Sequence, residues 1–191
     1  MKKTYTGLVL AGGRSRRMGG QDKGLALYKG KPLVEYALEA LKPHCTTVFI
    51  NSNRNLAGYS QYGLPVIQDL STDFPGPLQA LSELLPRLPD QGTIILPCDT
   101  PGVTASHVMQ LIEHAEQTPT AWIYLRAPDH DHPLHAYLPR GFAEFLQQHL
   151  AITHSQRVMK ALSSYPETHA IDIADDAEFN INRLDDADGT H

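Results

Sequence analysis

Residues 8–25, LVLAGGRSRRMGGQDKGL, constrain this chain more than any other stretch. A short apolar run stops at two glycines, and a basic loop follows in which Met18 is the only apolar side chain before Leu25. Eight of the sixteen Lys and Arg residues fall in the first 31 positions, where Asp22 is the single acid, although the whole chain carries a formal −5. Glycines at a strand end let backbone N–H groups approach phosphate oxygens, and cations offset charge that otherwise repels itself. Arg14, Arg16, Arg17 and Lys23 supply those cations. A close cation–phosphate contact is worth about 4 kcal/mol at 4 Å and an effective dielectric of 20. The stretch therefore reads as a polyphosphate site, and a catalytic one.

The remaining composition narrows the frame around that loop. At 191 residues, one sizeable core fits and a second full domain is cramped. No run of 18 apolar residues occurs, so no membrane span is expected. The opening MKKTYTGLVLAGG is not read as a signal peptide, because its apolar stretch, 8–11, leads straight into charge. Two cysteines, Cys45 and Cys98, are too few for a disulfide framework, and the cytoplasm is the expected compartment. The basic residues form one loop rather than a broad face, which argues against nucleic acid as a partner.

Short apolar runs at 7–11, 46–51, 93–97 and 121–125 read as buried strands. Between them lie helical stripes. Leu33, Val34, Ala37, Leu38 and Leu41 form the first, between Pro32 and Lys42-Pro43. Leu78, Leu81, Leu84 and Leu85 form the second, with Pro77 near its first turn. Val108, Leu111, Ile112 and Ala115 follow a capping Thr104, and Phe142, Phe145 and Leu146 mark a fourth helix. Alternation at this spacing predicts an α/β fold: a single Rossmann-like three-layer sandwich with a mostly parallel sheet, less regular after about residue 126. One domain over 1–191 is expected, with a nucleotide-binding half at about 1–125 and a second-substrate half at about 126–185. The last twenty residues carry seven acids and one Arg and are expected to be solvated or frayed.

In open parallel sheets, ligands bind beyond the carboxyl ends of the strands. There the chain delivers Gly12-Gly13, then Asn51 and Asn53, Asp69, and Asp99. Pro97 and Pro101 stiffen the backbone around Asp99, and a rigid carboxylate beside a polyphosphate cradle suits Mg²⁺. Asp69 either binds base or ribose or closes its loop, and the amides of Asn51 and Asn53 either bind a nucleoside or shape a turn. The loop at 12–24 matches neither G-x-G-x-x-G nor G-x-x-x-x-G-K-[ST], so it is neither a dinucleotide fingerprint nor a P-loop. His130, His132 and His135 form H-x-H-x-x-H, but no cysteine or second His cluster accompanies them. The segment 131–133 is read as lying at the sheet edge near a second substrate rather than as a zinc site. Nothing supports covalent catalysis.

LVLAGGRSRRMGGQDKGL, GKPL at 30–33, NSNR at 51–54, DFPGPL at 73–78, PCDTP at 97–101 and DHP at 131–133, in that order, resemble the MobA family of molybdenum cofactor guanylyltransferases. The resemblance implies transfer of GMP from GTP to the terminal phosphate of molybdopterin, with or without molybdenum, releasing pyrophosphate. It implies contacts to guanine and ribose from Leu10, Ala11 and Gly12, with Gly13 continuing the turn. Lys23 would bind phosphates, Asn51 and Asp69 the nucleoside, and Asp99 would hold Mg²⁺. Arg17 is carried over as a further catalytic cation, and Arg157, Asn180 and Asn182 as phosphate or pterin contacts. Molybdenum cofactor insertion partners and acceptor apo-enzymes are expected to receive the product. The rival readings are a cytidylyltransferase on the same pterin, a sugar-1-phosphate nucleotidyltransferase, and a non-catalytic molybdopterin carrier.

Overall fold

The computed structural model describes residues 5–12, 22–71, 76–89 and 91–174. Strand β1 (Tyr5–Leu10) is followed by a two-residue hairpin, β2 (Leu27–Tyr28) and β3 (Lys31–Pro32), and by α1 (Leu33–Leu41). Then come β4 (Cys45–Asn51), α2 (Leu56–Ser60), β5 (Val66–Ile67), α3 (Pro77–Leu84), β6 (Thr93–Pro97) and α4 (Ala105–Gln117). The last third is β7 (Trp122–Arg126), β8 (Asp131–Leu138), α5 (Phe142–Thr153), α6 (Val158–Ser164) and β9 (Thr168–Asp172). Seven strands form one sheet in the order β5-β4-β1-β6-β8-β7-β9. β1 runs parallel to both β4 and β6, β4 to β5, and β7 to β9, while β8 is antiparallel to its neighbours β6 and β7.

The strand sequences alternate between two cores because successive side chains leave opposite faces of a sheet. Val9, Ile94, Leu96, Ile123 and Leu125 point to one face, where Val34, Leu38 and Leu41 of α1 and Val108 and Leu111 of α4 cover them. Leu8, Ile95, Trp122 and Tyr124 point to the other, under Leu78, Leu81 and Leu84 of α3 and Phe142 and Leu146 of α5. Burial on both faces is why these strands read as continuous apolar runs, as expected for the interior of a parallel sheet. Thr104 begins α4 with a capping box, its backbone N–H donating to His107 Nδ1 at 3.1 Å.

The sheet continues without interruption through the last third, where the sequence reads as less regular. Strand β8 lies inside the sheet, between β6 and β7, so the segment 131–133 opens an internal strand rather than lying along a lateral edge. Tyr124 faces Ala136 but Leu125 faces His132, so residues 133–135 of β8 bulge between them. The bulge is where a strand tolerates Pro133, and Trp122 closes it by donating its indole N–H to the Pro133 carbonyl at 3.2 Å. The acidic tail lies outside the described residues.

Trp122, the only tryptophan, is fully buried and meets Phe142 edge-on at 4.9 Å. Its emission therefore reports this core alone. Leu81→Ala, at a fully buried position of α3 beneath the same face, is expected to cost about 2–5 kcal/mol. Urea unfolding followed by Trp122 fluorescence measures it, and a midpoint unchanged from wild type contradicts the packing.

Candidate active site

The carboxyl ends of β1, β4, β5 and β6 converge, and each is finished differently. β1 is stitched on both sides: the Ala11 N–H donates to the Asn51 carbonyl at 2.9 Å, and the Leu10 carbonyl accepts from the Cys98 N–H at 3.1 Å. Those two groups of Leu10 and Ala11 are thereby spent on neighbouring strands. Gly12 then passes so close to the end of β4 that a Cβ there would lie 2.7 Å from Asn51 Oδ1 and 3.1 Å from Asn53 Nδ2. No side chain fits at this position. Gly13 and Arg17 lie outside the described residues.

Asn51, Asn53 and Asp69 form one lattice. Asn51 Nδ2 donates to Asp69 Oδ1 at 2.8 Å and to the Ile67 carbonyl at 3.3 Å. Asn53 Nδ2 donates to Asp69 Oδ2 at 2.7 Å and to the Gly12 carbonyl at 3.4 Å, while Asn53 Oδ1 accepts from the Asp69 N–H at 2.8 Å. Both amide hydrogens of Asn51 are therefore used inside the protein. Asn51 is buried with its carbonyl oxygen packed against Gly12, while the half-buried Asp69 keeps the second lone pair of each carboxylate oxygen. The segment that follows is anchored by Glu83 of α3, whose carboxylate accepts from the N–H groups of Leu70 at 2.8 Å and Ser71 at 3.0 Å.

Asp99 sits in the turn after β6, and its Oδ2 accepts from Lys23 Nζ at 2.6 Å. The two side chains keep only 19% and 24% of their exposure, which sets the pair apart from open surface pairs worth about 0–1 kcal/mol. A second brace fixes the turn: buried Thr100 donates its hydroxyl to the Pro97 carbonyl at 3.2 Å and meets His135 Nε2 at 3.0 Å. With the hydroxyl hydrogen on Pro97, His135 Nε2 is the donor. To the stiffness expected of the two prolines is added a brace from β8, the neighbouring strand. The rings of His130, His132 and His135 follow one another edge-on, with centroids 4.1 Å and 5.2 Å apart. Among the described residues, no group of three His, Cys, Asp or Glu side chains is placed to hold a metal ion.

Arg157 precedes α6 and is exposed, and no hydrogen bond or ion pair among the described residues joins it to Lys23, Asp69 or Asp99. Its neighbour Gln156 accepts from the Gln79 N–H at 3.2 Å, which ties this loop to the first turn of α3. Asn180 and Asn182 lie outside the described residues. Sequence reading missed the roles of Thr100 and His135 in holding the Asp99 turn, and it missed Asp22, Asn55 and Tyr59 around Lys23. Only Asp22 carried a signal, as the sole acid of a basic segment.

Burial, with the charges of His132 and His107 adding to it, lowers the pKa of His135 from 6.5 to about 3. The imidazole is neutral in the folded state, whereas the unfolded chain takes up a proton near pH 6.5. Stability from this group is complete above pH 6.5 and is lost as pH falls toward 3. The slope is about 1.4 kcal/mol per pH unit for one proton. His135→Gln, which keeps a donor for Thr100, is expected to flatten urea stability between pH 6 and 4 by roughly that slope. An unchanged slope refutes the buried neutral imidazole.

Comparison with known proteins identifies the family. The model of the MobA-like NTP transferase domain matches residues 7–168. The molybdenum cofactor guanylyltransferase of Serratia proteamaculans (strain 568) is 38% identical over 151 residues, which cover 79% of this chain and 76% of that protein. The protein of the same name from Yersinia pseudotuberculosis serotype O:1b (strain IP 31758) is 38% identical over 150 residues, 76% of each chain. The crystal structure of molybdopterin-guanine dinucleotide biosynthesis protein A from Archaeoglobus fulgidus shares the fold, with a TM-score of 0.73, 21% identity, and coverage of 95% of this chain and 94% of that one. The matched stretch contains every strand end described above, and the chain belongs to the MobA-like NTP transferase family.

Proposed function

We propose that this protein transfers GMP from GTP to the terminal phosphate of molybdopterin, or of its molybdenum-bound form, and releases pyrophosphate. The observation that carries the reading is the Lys23–Asp99 pair set beside the Gly12 turn and the Asn51–Asn53–Asp69 lattice. It joins a cation on a long stem, a carboxylate in a braced turn and a hydrogen-bonded set of amides and carboxylate at the carboxyl edge of a parallel sheet. The relatives named above are guanylyltransferases, which supports GTP as donor. The chemistry of Asp69 supports it too, because guanine presents two adjacent donors, N1–H and N2–H₂, to a carboxylate, whereas cytosine presents one donor, N4–H₂, beside the acceptors N3 and O2.

In the reaction, an oxygen of the pterin's terminal phosphate attacks the α-phosphorus of GTP. The bond from that phosphorus to the bridging oxygen of the β-phosphate breaks, and its electron pair leaves with pyrophosphate. The nucleophile is already anionic, so no general base is needed, and the barrier is mainly charge repulsion and alignment. Lys23 exchanges Asp99 for phosphate oxygens and draws charge off the reacting chain. Leu10, Ala11 and Gly12 seat the nucleoside against the β1 end, with Asn51 and Asp69 assigned to the nucleoside side and Asp69 as the acceptor. Gly13 and Arg17 belong to the basic stretch that extends the cradle. Arg157, Asn180 and Asn182 are assigned to the second substrate, in the half from about 126 to 185, and residues to about 125 to the nucleotide.

Asp99 fits a hard divalent cation, since its Oδ2 already binds positive charge in the form of the Lys23 ammonium. With one protein carboxylate, Mg²⁺ would complete its shell from phosphate and water oxygens, as this ion commonly does. When bound, it supplies charge neutralisation at the phosphates. No helix among the described residues is long and apolar enough to cross a membrane, and both cysteines are free and buried, which supports a cytoplasmic setting. The product would pass to insertion partners and acceptor apo-enzymes, with no part for nucleic acid.

Pyrophosphate release with GTP, CTP, ATP and UTP in turn, with Mg²⁺ and with molybdopterin present or omitted, tests the reading. Turnover with GTP that requires the pterin is the expected result. Preference for CTP makes it a cytidylyltransferase, and pterin binding without any turnover makes it a carrier. Asp99→Ala is expected to lower turnover by about 10²–10³-fold with circular dichroism and Trp122 emission unchanged. Lys23→Ala should lower kcat by about 10²-fold while GTP affinity falls by less than about tenfold. Near-normal turnover in either variant removes that residue from the chemistry.

A further inference from the structure

Lys23 belongs to a single 3-10 turn, Lys23–Leu25, and such a short element does not hold itself in place. What holds it is an anion, which is a surprising choice beside a site that must accept phosphates. The Asp22 carboxylate caps the turn, with Oδ1 accepting from the Gly24 N–H at 3.2 Å. It is in turn gripped from α2. The same Oδ1 accepts the Tyr59 hydroxyl at 2.5 Å, and Oδ2 accepts Asn55 Nδ2 at 3.1 Å.

The grip is built for this purpose on both sides. Tyr59 is fully buried, and burial, followed by the Asp22 bond, raises its phenol above the ordinary range, so it stays a donor at working pH. Asn55 adopts a left-handed φ of 48° immediately before α2, where its carbonyl accepts from the Gly58 and Tyr59 N–H groups. The turn itself lies too close to its surroundings for any other residue at position 24. A Cβ on Gly24 would lie 2.4 Å from the Tyr59 hydroxyl oxygen and 3.4 Å from Cys98 Sγ. Cys98 precedes Asp99, the residue on which the Lys23 ammonium rests. The turn is thus wedged between α2 and the end of β6.

We propose that Tyr59, seconded by Asn55, is a positioning residue for Lys23 that acts through Asp22. The inference rests on the reading of Lys23 as the phosphate-binding cation. Three fixed donors spread the charge of Asp22, so this carboxylate orients the lysine without competing for its ammonium. A reacting group displaced by about 1 Å can lose up to about 10²-fold in rate, so the hydroxyl of a residue remote from the substrate acquires kinetic weight.

The experiment uses the full chain as wild type, Tyr59→Phe, Asn55→Gly, Lys23→Ala and the Tyr59→Phe/Lys23→Ala double variant. Asn55→Gly removes the second donor while keeping a residue that accepts positive φ, and it carries the test if Tyr59→Phe does not fold. The first readout is acetylation of Lys23 by an amine reagent without nucleotide, measured by mass spectrometry against exposed Lys160 in the same sample. Both single variants are expected to speed it severalfold, by about 3–10-fold. The second readout is guanylyl transfer. Tyr59→Phe should lower kcat by about 10-fold or more with the KM for GTP within about threefold. In the Lys23→Ala background the same change should cost less than about twofold. Equal losses in both backgrounds, or a Lys23 labelling rate unmoved by either variant, overturn the proposal. A wild-type protein with no transfer activity overturns the guanylyltransferase reading instead, and the labelling rates still decide the clamp.

Discussion

The site depends on how β1 ends. β1 has a parallel neighbour on each side, so three strands reach the same edge together, and their last backbone groups must be satisfied without covering that edge. On one side the Asn51 carbonyl and on the other the Cys98 N–H meet this need. Gly12 then passes the end of β4 with no side chain in the way. Asn53 and Asp69 extend the repair outward, since buried polar groups must be paired and side-chain amides can bridge where strands diverge. A floor of backbone, amides and one carboxylate results, tied together by hydrogen bonds among β1, β4 and the segment after β5.

Three carboxylates, Asp22, Asp69 and Asp99, stand around a place proposed for phosphates, and the way each is neutralised separates structure from chemistry. Asp69 is held by two amides and Asp22 by an amide, a phenol and a backbone N–H. These donors are fixed dipoles of the scaffold, and they leave the carboxylates in place whatever binds. Asp99 alone of the three is paired with a full charge on a long flexible stem. In the proposed reaction such a partner leaves when another cation takes its place, and Lys23 then turns its charge to the phosphates. The ion pair is what singles out Asp99 among the three as the carboxylate proposed to hold the metal.

Much of this was legible in the residues. Strands β1, β4, β6 and β7 announce themselves because burial on both faces leaves no polar position to interrupt the run, and the rule of carboxyl ends then finds Asn51, Asp69 and Asp99 without structural help. The lattice among them was not legible, since a sequence shows which amides and carboxylates are present and not which satisfy one another. The sequence left Asn51 and Asn53 between nucleoside contact and turn, and the structure shows both amide hydrogens of Asn51 used internally. β8 was hidden by Pro133 and alternating histidines, which look like a loop until the bulge against β7 explains them. Tyr59 had no signal at all: it lies 37 positions from Asp22, and a lone tyrosine on a five-residue helix has no local pattern to betray it.

The antiparallel insertion of β8 also changes how the two halves relate. If the parallel sheet ended at β6, Asp99 would hang on a turn with support from one side only. β8 runs back along β6 and brings His135 under Thr100, so the strand that begins the proposed second-substrate half holds the turn that completes the nucleotide half. Because interiors are close-packed and transmit strain, a ligand that shifts the beginning of β8, at Asp131 and His132, acts on the same element that aims Asp99. Lys23, by contrast, is aimed from α2 on the far side of β1. The two members of the ion pair therefore take their positions from opposite sides of β1, and their meeting at 2.6 Å joins the α2 side of the site to the β6–β8 side.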